Sequence, residues 1–307
     1  MKISTSLYFD RSTQQLSTVQ SNLAKTQEQL STGKNIVKPS DAPDKAALVT
    51  RLQSELSRNA SYQDTLKSAN VRLTSEETAL KNTTDVLYRI KELAFQGANG
   101  TLSPNDRKSI ALELTSLREQ VMSLANSQDS NGNYLFSGSR SGQPAFSQDA
   151  SGRVSYQGDQ SRMKVNVGDN RRMNLNMPGS DAFVRITRTD AKGGQIGVDF
   201  FQALDDLAKA VTSGDVANTQ RGIAEVDGLQ EGVSNSLAQV GSDLSVVDLQ
   251  TSVLDEVVLR LKTTRSDVED LDYTAAITKM NKDQLALEAA QSSFAKISQL
   301  SLFKYMN

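Results

Sequence analysis

A chain of 307 residues with 37% hydrophobic, 23% charged and only 5% aromatic residues is polar without being disordered. It suits narrow aliphatic stripes between helices better than one broad globular core. A formal net charge of −2 argues against a nucleic-acid or anionic-membrane binder. The absence of cysteine and histidine excludes disulfides, thiol nucleophiles, Ser-His-Asp and Cys-His constellations and ordinary zinc sites, so no catalytic residue, cofactor or metal is expected.

Helix breakers divide the chain. All five prolines lie between Pro39 and Pro178, and ten of eighteen glycines between Gly132 and Gly197. Long flanks are thereby left free to be helical. In the first, Phe9, Leu16, Leu23 and Leu30 recur every seven residues, with Val19 and Thr26 at the offset-by-three positions. This two-in-seven stripe is the mark of a coiled-coil seam. It stops at Gly33, and Lys38 to Pro43 forms a loop that launches a second helix over about 44–96. There Leu52, Leu66, Leu73, Leu80, Leu87 and Ala94 share one register, with Tyr62, Ala69 and Ile90 at offset positions that Glu76 and Thr83 interrupt.

Gly97-Ala-Asn-Gly100 ends that helix. Ser103-Pro104-Asn105-Asp106 then reads as an N-cap, a proline at the first helical position and an acidic third residue. Ile110, Leu114, Leu117, Val121 and Leu124 follow at helical spacing. From Ser137 to Gly197 the period changes to two: Val154/Tyr156, Met163/Val165/Val167 and Met173/Leu175/Met177 alternate with polar residues between turn dipeptides. This predicts a small antiparallel β insert. Eight basic and four acidic residues lie between Arg153 and Lys192, a charge that fits either an acidic partner or strand edges kept from pairing.

Helix resumes near Asp199 with Phe200, Phe201, Leu204 and Leu207. Val226, Val233, Val240, Val247, Leu254, Leu261, Val268 and Ala275 then form the longest heptad series in the chain. A last segment restarts after Asp270-Leu271-Asp272, with Tyr273, Met280, Leu287 and Phe294 in register and Ala276, Ala290 and Ile297 beside them.

Chemical motifs fail on inspection. Asp129-Ser-Asn-Gly-Asn133 begins like a calcium loop, but Tyr134 stands where glycine is required and Arg140 where a bidentate glutamate is. Gly138-Ser-Arg-Ser-Gly142 has an elbow's spacing, yet its centre is Arg140. The neighbours Glu76/Glu77 and Asp205/Asp206 point to different sides of a helix and read as solvated faces. The longest apolar run, Ala46 to Val49, is too short to span a membrane, and residues 1–10 do not read as a secretory signal.

Several stretches resemble the bacterial flagellin superfamily: Gln29-Leu-Ser-Thr-Gly-Lys34 with Pro39-Ser-Asp-Ala-Pro43, Leu87 to Gln96, Gly97 to Leu102, and Ala125 to Gly132. Within it, Met1-Lys-Ile-Ser-Thr-Ser6, Asn133-Tyr-Leu-Phe-Ser-Gly138 with Pro144-Ala-Phe146, Tyr156-Gln-Gly-Asp159 and the Ile297–Phe303 ending resemble the hook–filament junction branch. The fold expected is mainly α: an elongated helical bundle with paired N- and C-terminal coiled-coil helices and a small antiparallel β insert. Residues 1–40 and 270–307 form the assembly domain, 41–136 and 198–269 the rod, and 137–197 an outer domain that folding does not need.

The resemblance implies a structural, non-enzymatic subunit that self-associates in a ring or helical layer between an adjoining hook-associated protein and the flagellin filament. It also implies passage through the flagellar type III apparatus without a cleaved signal, a cytosolic export chaperone, and an extracellular position at the junction, with no nucleic acid and no membrane insertion. The alternative is a filament subunit; a more distant one is an adhesive module displayed by the insert. The candidate assembly interface is Phe9, Leu16, Val19, Leu23, Leu30, Tyr273, Ile277, Met280, Leu287, Phe294 and Ile297. The candidate bundle core is Leu66, Leu73, Leu80, Leu87, Val233, Val240, Val247 and Leu254.

Overall fold

Glycine and proline punctuation sets the element order. The computed structural model describes residues 2–189 and 194–303, with side chains for residue 7, 9–189 and 194–296. Helix α1 (Lys2–Thr32) leads through a short 3-10 turn at Pro39–Asp41 into α2 (Pro43–Gly97) and α3 (Pro104–Ala125). The insert follows, with strands β1 (Phe146–Gln148), β2 (Val154–Tyr156), β3 (Lys164–Gly168) and β4 (Arg171–Asn174), a helical turn α4 (Gly179–Ala182), then β5 (Ile186–Thr189) and β6 (Gln195–Val198). Helices α5 (Phe200–Ser213), α6 (Val216–Glu269) and α7 (Tyr273–Phe303) complete the chain.

The chain divides into two compact units, residues 1–59 with 255–307, and residues 60–254. The divisions fall inside α2 and α6. They therefore differ from the boundaries near 40 and 270 that the change of stripe suggested.

In the unit 60–254, the heptad leucines and valines converge. Leu66, Leu73, Leu80 and Leu87 of α2 are buried in one core with Val226, Val233, Val240, Val247 and Leu254 of α6. A residue seven positions on returns within about 20° of the same helix face, so a straight line of side chains lies along each helix. Helix α3 adds Leu114 and Val121, and α5 adds Phe200, Phe201, Leu204 and Leu207. The start of α3 is capped as the sequence indicates: the Ser103 hydroxyl accepts from the Asp106 amide at 3.2 Å, and the Asp106 carboxylate accepts from the Ser103 amide at 3.3 Å. Gly97 lies where a Cβ would come within 2.8 Å of Val211, so its missing side chain lets α5 approach the end of α2.

The insert contains more strand than its alternation indicated. Among the described residues three separate two-stranded antiparallel ladders form, β1 with β2, β3 with β4, and β5 with β6. The pairs Phe146↔Tyr156 and Ile186↔Val198 set the registers of the first and last. Strand β1 is three residues long and β6 contains Gly197, so neither carries enough alternation to stand out from its turns.

Nor is the insert a separate outer layer. Phe146, Val154, Val167, Met173, Met177, Phe183 and Val198 belong to the same core as the bundle leucines. The Phe183 ring meets Phe136 edge-on at 5.6 Å and Phe200 at 5.3 Å, while Phe146 meets Phe201 at 5.3 Å. The expectation that folding can do without these residues is therefore revised.

Two pairs of acidic neighbours also need correction. Glu76 is fully buried on α2, 3.3 Å from the Nε of Arg72, itself buried. Glu77, one residue on, pairs with Lys81 at the surface. Asp205 pairs with the buried Arg118 at 3.1 Å, and Asp206 with Arg188 at 2.7 Å. Adjacent carboxylates do point apart on a helix, but Asp205 and Asp206 find guanidiniums on other elements, and Glu76 finds Arg72 one turn back on its own helix.

The basic excess of the insert is mostly neutralised within the chain. Arg162 pairs with Asp181, Arg185 with Asp199, and Arg188 with Glu225 and Asp206. This matches the reading of charged strand surroundings better than that of a free patch for an acidic partner.

Candidate functional site

In the unit 1–59 with 255–307, α1 packs antiparallel to α7. At one end the rings of Phe9 and Phe294 lie 4.9 Å apart. At the other, Gly33 meets Tyr273: a Cβ on Gly33 would sit 2.8 Å from the tyrosine oxygen. These two contacts place the seven-residue stripes of the helices opposite each other.

The turn that brings the helices together is held by main-chain bonds. The Asn35 amide donates to the Glu269 carbonyl at 2.7 Å, and the Leu271 amide to the Gly33 carbonyl at 3.0 Å. Lys34 pairs with Glu269 at 2.5 Å, and the buried Gln29 side chain donates to the Asn35 carbonyl at 2.6 Å. Lys25 reaches Asp41 at 2.7 Å. Its hydrogen bond, followed by that of the Lys38 amide, holds the Asp41 carboxyl below the usual carboxylate range. The Gln29–Lys34 word and Asn35 thus form the latch to the start of α7, while the Pro39–Pro43 word folds back onto α1.

Gly33 has φ +70°, a left-handed backbone that costs an L-residue about 1–2 kcal/mol. Gly33→Ala is expected to cost at least that, with the Tyr273 clash added. Amide exchange at Asn35 and Leu271 should speed up while the core of 60–254 keeps its protection; unchanged exchange at both would contradict the latch.

The pair leaves much of its apolar surface uncovered. Leu16, Val19, Leu23, Leu30, Met280, Leu287 and Phe294 are half-buried. Phe9, Tyr273 and Ile277 are exposed at 41%, 52% and 46%. The side chain of Ile297 lies outside the described residues. Two exposed apolar residues were not anticipated, Leu7 at 52% and Leu285 at 68%. Both lie off the seven-residue stripes, and Leu285, about 80° round the helix from Ile277, widens the apolar face of α7 beyond its seam. The candidate core residues Leu66, Leu73, Leu80, Leu87, Val233, Val240, Val247 and Leu254 are all buried, in the other unit.

The remaining marked words act as structural staples. Asp129 accepts from the Asn131 and Asn133 amides at 2.8 and 3.0 Å, closing a turn. The Tyr156 hydroxyl lies within hydrogen-bond reach of the Phe136 and Asp159 carbonyls and accepts from the Gly179 amide. Asp159 in turn accepts from the Ser139 amide at 2.9 Å. Among the described residues no group of three or more acidic side chains is placed to hold a metal ion, and no helix is long and apolar enough to cross a membrane.

The arrangement is that of a helical structural subunit whose terminal helices pair and expose apolar surface. Residues 3–141 match the bacterial flagellin N-terminal helical region, and residues 223–306 the bacterial flagellin C-terminal helical region. The chain belongs to the bacterial flagellin family. Flagellar hook-associated protein 3 of Salmonella typhimurium is 29% identical over 317 residues, covering 99% of both chains. A flagellin of Listeria monocytogenes is 23% identical over 97% of this chain and 96% of its own. The solved flagellar hook-associated protein 3 of Legionella pneumophila shares the fold, with a TM-score of 0.65 and 16% identity over 72% of this chain and 98% of that one. Hook-associated proteins are thus the better match within the family, and the chain is a structural protein of the flagellum.

Proposed function

We propose that the chain is the subunit that joins the hook to the flagellin filament, and that α1 and α7 are its assembly surface. The exposed apolar residues of the α1–α7 pair carry this reading. Two helices with stripes two-in-seven wide bury little in one copy, and stable coiled coils of this kind gain the remainder from neighbours. Copies of the chain in a ring or helical layer would cover Phe9, Tyr273, Ile277 and Leu285. An adjoining hook-associated protein would contact one side of that layer and flagellin the other. The full-length likeness to a hook-associated protein favours the junction over the filament itself. Export through the flagellar type III apparatus, with a cytosolic chaperone bound before assembly, completes the reading and places the subunit outside the cell.

A charge in the seam tests it. Leu287→Asp or Leu23→Asp places an ion among half-buried apolar side chains and leaves the core of 60–254 untouched. The expected result is a variant that reaches the medium folded, cells that no longer swim, and flagellin shed into the medium. Normal swimming with either variant would overturn the assembly role, and flagellin-like abundance of the chain along sheared filaments would favour a filament subunit.

A further inference from the structure

Asn-Gly occurs twice in the chain, at Asn99-Gly100 between α2 and α3 and at Asn131-Gly132 after α3. Glycine has no side chain to shield its own amide nitrogen, so in this dipeptide that nitrogen can reach the carboxamide carbon of the preceding asparagine. All four residues are exposed. The folded chain nevertheless treats the two dipeptides differently.

At Asn99 the carboxamide is polarised. Its Oδ1 accepts from the Thr101 amide at 3.1 Å and from the Thr101 hydroxyl at 2.8 Å. Reaching across Gly100 to Thr101 folds the carboxamide back over the intervening peptide. Both donors then point at the oxygen that becomes negative when Cγ is attacked. The Gly100 amide, the attacking group, has no hydrogen-bond partner among the described residues. At Asn131 the pattern is reversed. The Gly132 amide is already donated to the Asp129 carbonyl at 3.0 Å, and the Asn131 amide to the Asp129 carboxylate at 2.8 Å.

We propose that Asn99 is a self-modification site, where the chain converts its own asparagine into aspartate and isoaspartate while Asn131 is spared. The Gly100 nitrogen gives its proton to water or hydroxide and bonds to Cγ of Asn99. Nδ2 takes up a proton and leaves as ammonia, closing a five-membered imide. Water then opens the ring. Breaking the bond from nitrogen to Cγ gives aspartate; breaking the bond to the main-chain carbonyl carbon gives isoaspartate. One water is consumed and one ammonia released, with no change of oxidation state. Either product adds a negative charge to the turn between α2 and α3, and isoaspartate also lengthens its main chain by one carbon. The reaction belongs to the chain itself and does not depend on how the subunit assembles.

The test holds the purified full chain at mildly alkaline pH, folded and in parallel in concentrated urea. Peptide mapping by mass spectrometry follows acid formation at each asparagine, and an isoaspartyl methyltransferase labels the isomer. In the folded chain residue 99 is expected to convert at least about tenfold faster than residue 131, where the Gly132 hydrogen bond must break first. In urea both hydrogen-bond patterns are gone and the two rates should converge. Gly100→Val is the chemical control. Gly100 lies outside the left-handed region and a Cβ there meets nothing within 4 Å, so the fold has room for a branched side chain that shields the nitrogen. Conversion at residue 99 should then fall at least about tenfold. Circular dichroism checks the helicity of this variant; if it is lost, the comparison of folded and urea-treated wild type decides. Equal rates in the folded chain, a ratio that persists in urea, or undiminished conversion in a folded Gly100→Val would overturn the proposal.

Discussion

Replacing residues 139–192 by a short Gly/Ser linker is expected to abolish the cooperative unfolding of the unit 60–254. Deletion would remove Phe146, Val154, Val167, Met173, Met177 and Phe183 from the core. It would uncover Phe136, Phe200 and Phe201, against which those side chains now pack. Truncating one buried phenylalanine costs about 3–5 kcal/mol, against a total stability of about 5–15 kcal/mol for an ordinary domain. Phe183→Ala is the graded version: it leaves the chain length intact but removes the ring that touches Phe136, Phe146, Phe200 and Phe201. Denaturation followed by far-ultraviolet circular dichroism should show a midpoint well below wild type for Phe183→Ala and no sharp transition for the deletion. A deleted chain that melted like the wild type would mean that the helices close the bundle alone.

Arg72→Met should be nearly as damaging, for an electrostatic reason. The guanidinium donates to the Leu135 carbonyl at 2.8 Å, lies 3.4 Å from Asp129, and faces Glu76. Removing one member of a buried pair costs about 3–5 kcal/mol, because the other, here the nearly buried Asp129 carboxylate, is left without compensation. Glu76 then loses the group that eases its ionised form, and the loop at 129–135 loses its tie to α2. Arg72→Met/Glu76→Leu should recover part of the loss, since an apolar pair of similar volume leaves no buried carboxyl without its partner.

The same pair makes stability depend on pH. Burial pushes the Glu76 carboxyl up to about 8, although Arg72 and the Met177 amide ease its ionised form and Asp243 opposes it. A folded-state pKa above the unfolded one means that the native chain holds a proton the unfolded chain has released. That contribution is fully present below about pH 4.5 and is lost as pH rises to about 8. The denaturation midpoint should therefore fall between pH 5 and pH 8.5 in the wild type, and Glu76→Gln should flatten that slope. An equal slope in both would show that Glu76 keeps an ordinary carboxylate titration.

Much of the architecture is local and could be read from residue order. The heptad lines of α2 and α6, the Ser103–Asp106 cap, the stop at Gly33 and the restart near Tyr273 depend on helix geometry and on backbone preferences. Neighbours in sequence are enough to express these. The opposed stripes of α1 and α7 were legible for the same reason, since a period of seven marks a seam whatever lies across it. The chain's family words pointed to the same pair of ends.

What could not be read that way depends on partners distant in sequence. Arg72 stands one turn before Glu76 on the same helix, but nothing nearby says that this face turns away from water, toward Asp243 and the Met177 backbone. Asp205 gains Arg118 only because α5 packs on α3. The β insert looked like an appendage because its short strands carry weak alternation and its aromatics are scattered from Phe136 to Phe201. Hydrophobic burial is non-directional, so sequence shows which side chains seek cover but not which surfaces provide it. The tertiary structure decided that the insert completes the bundle's core, and that Leu7 and Leu285 stay uncovered beside the terminal seam.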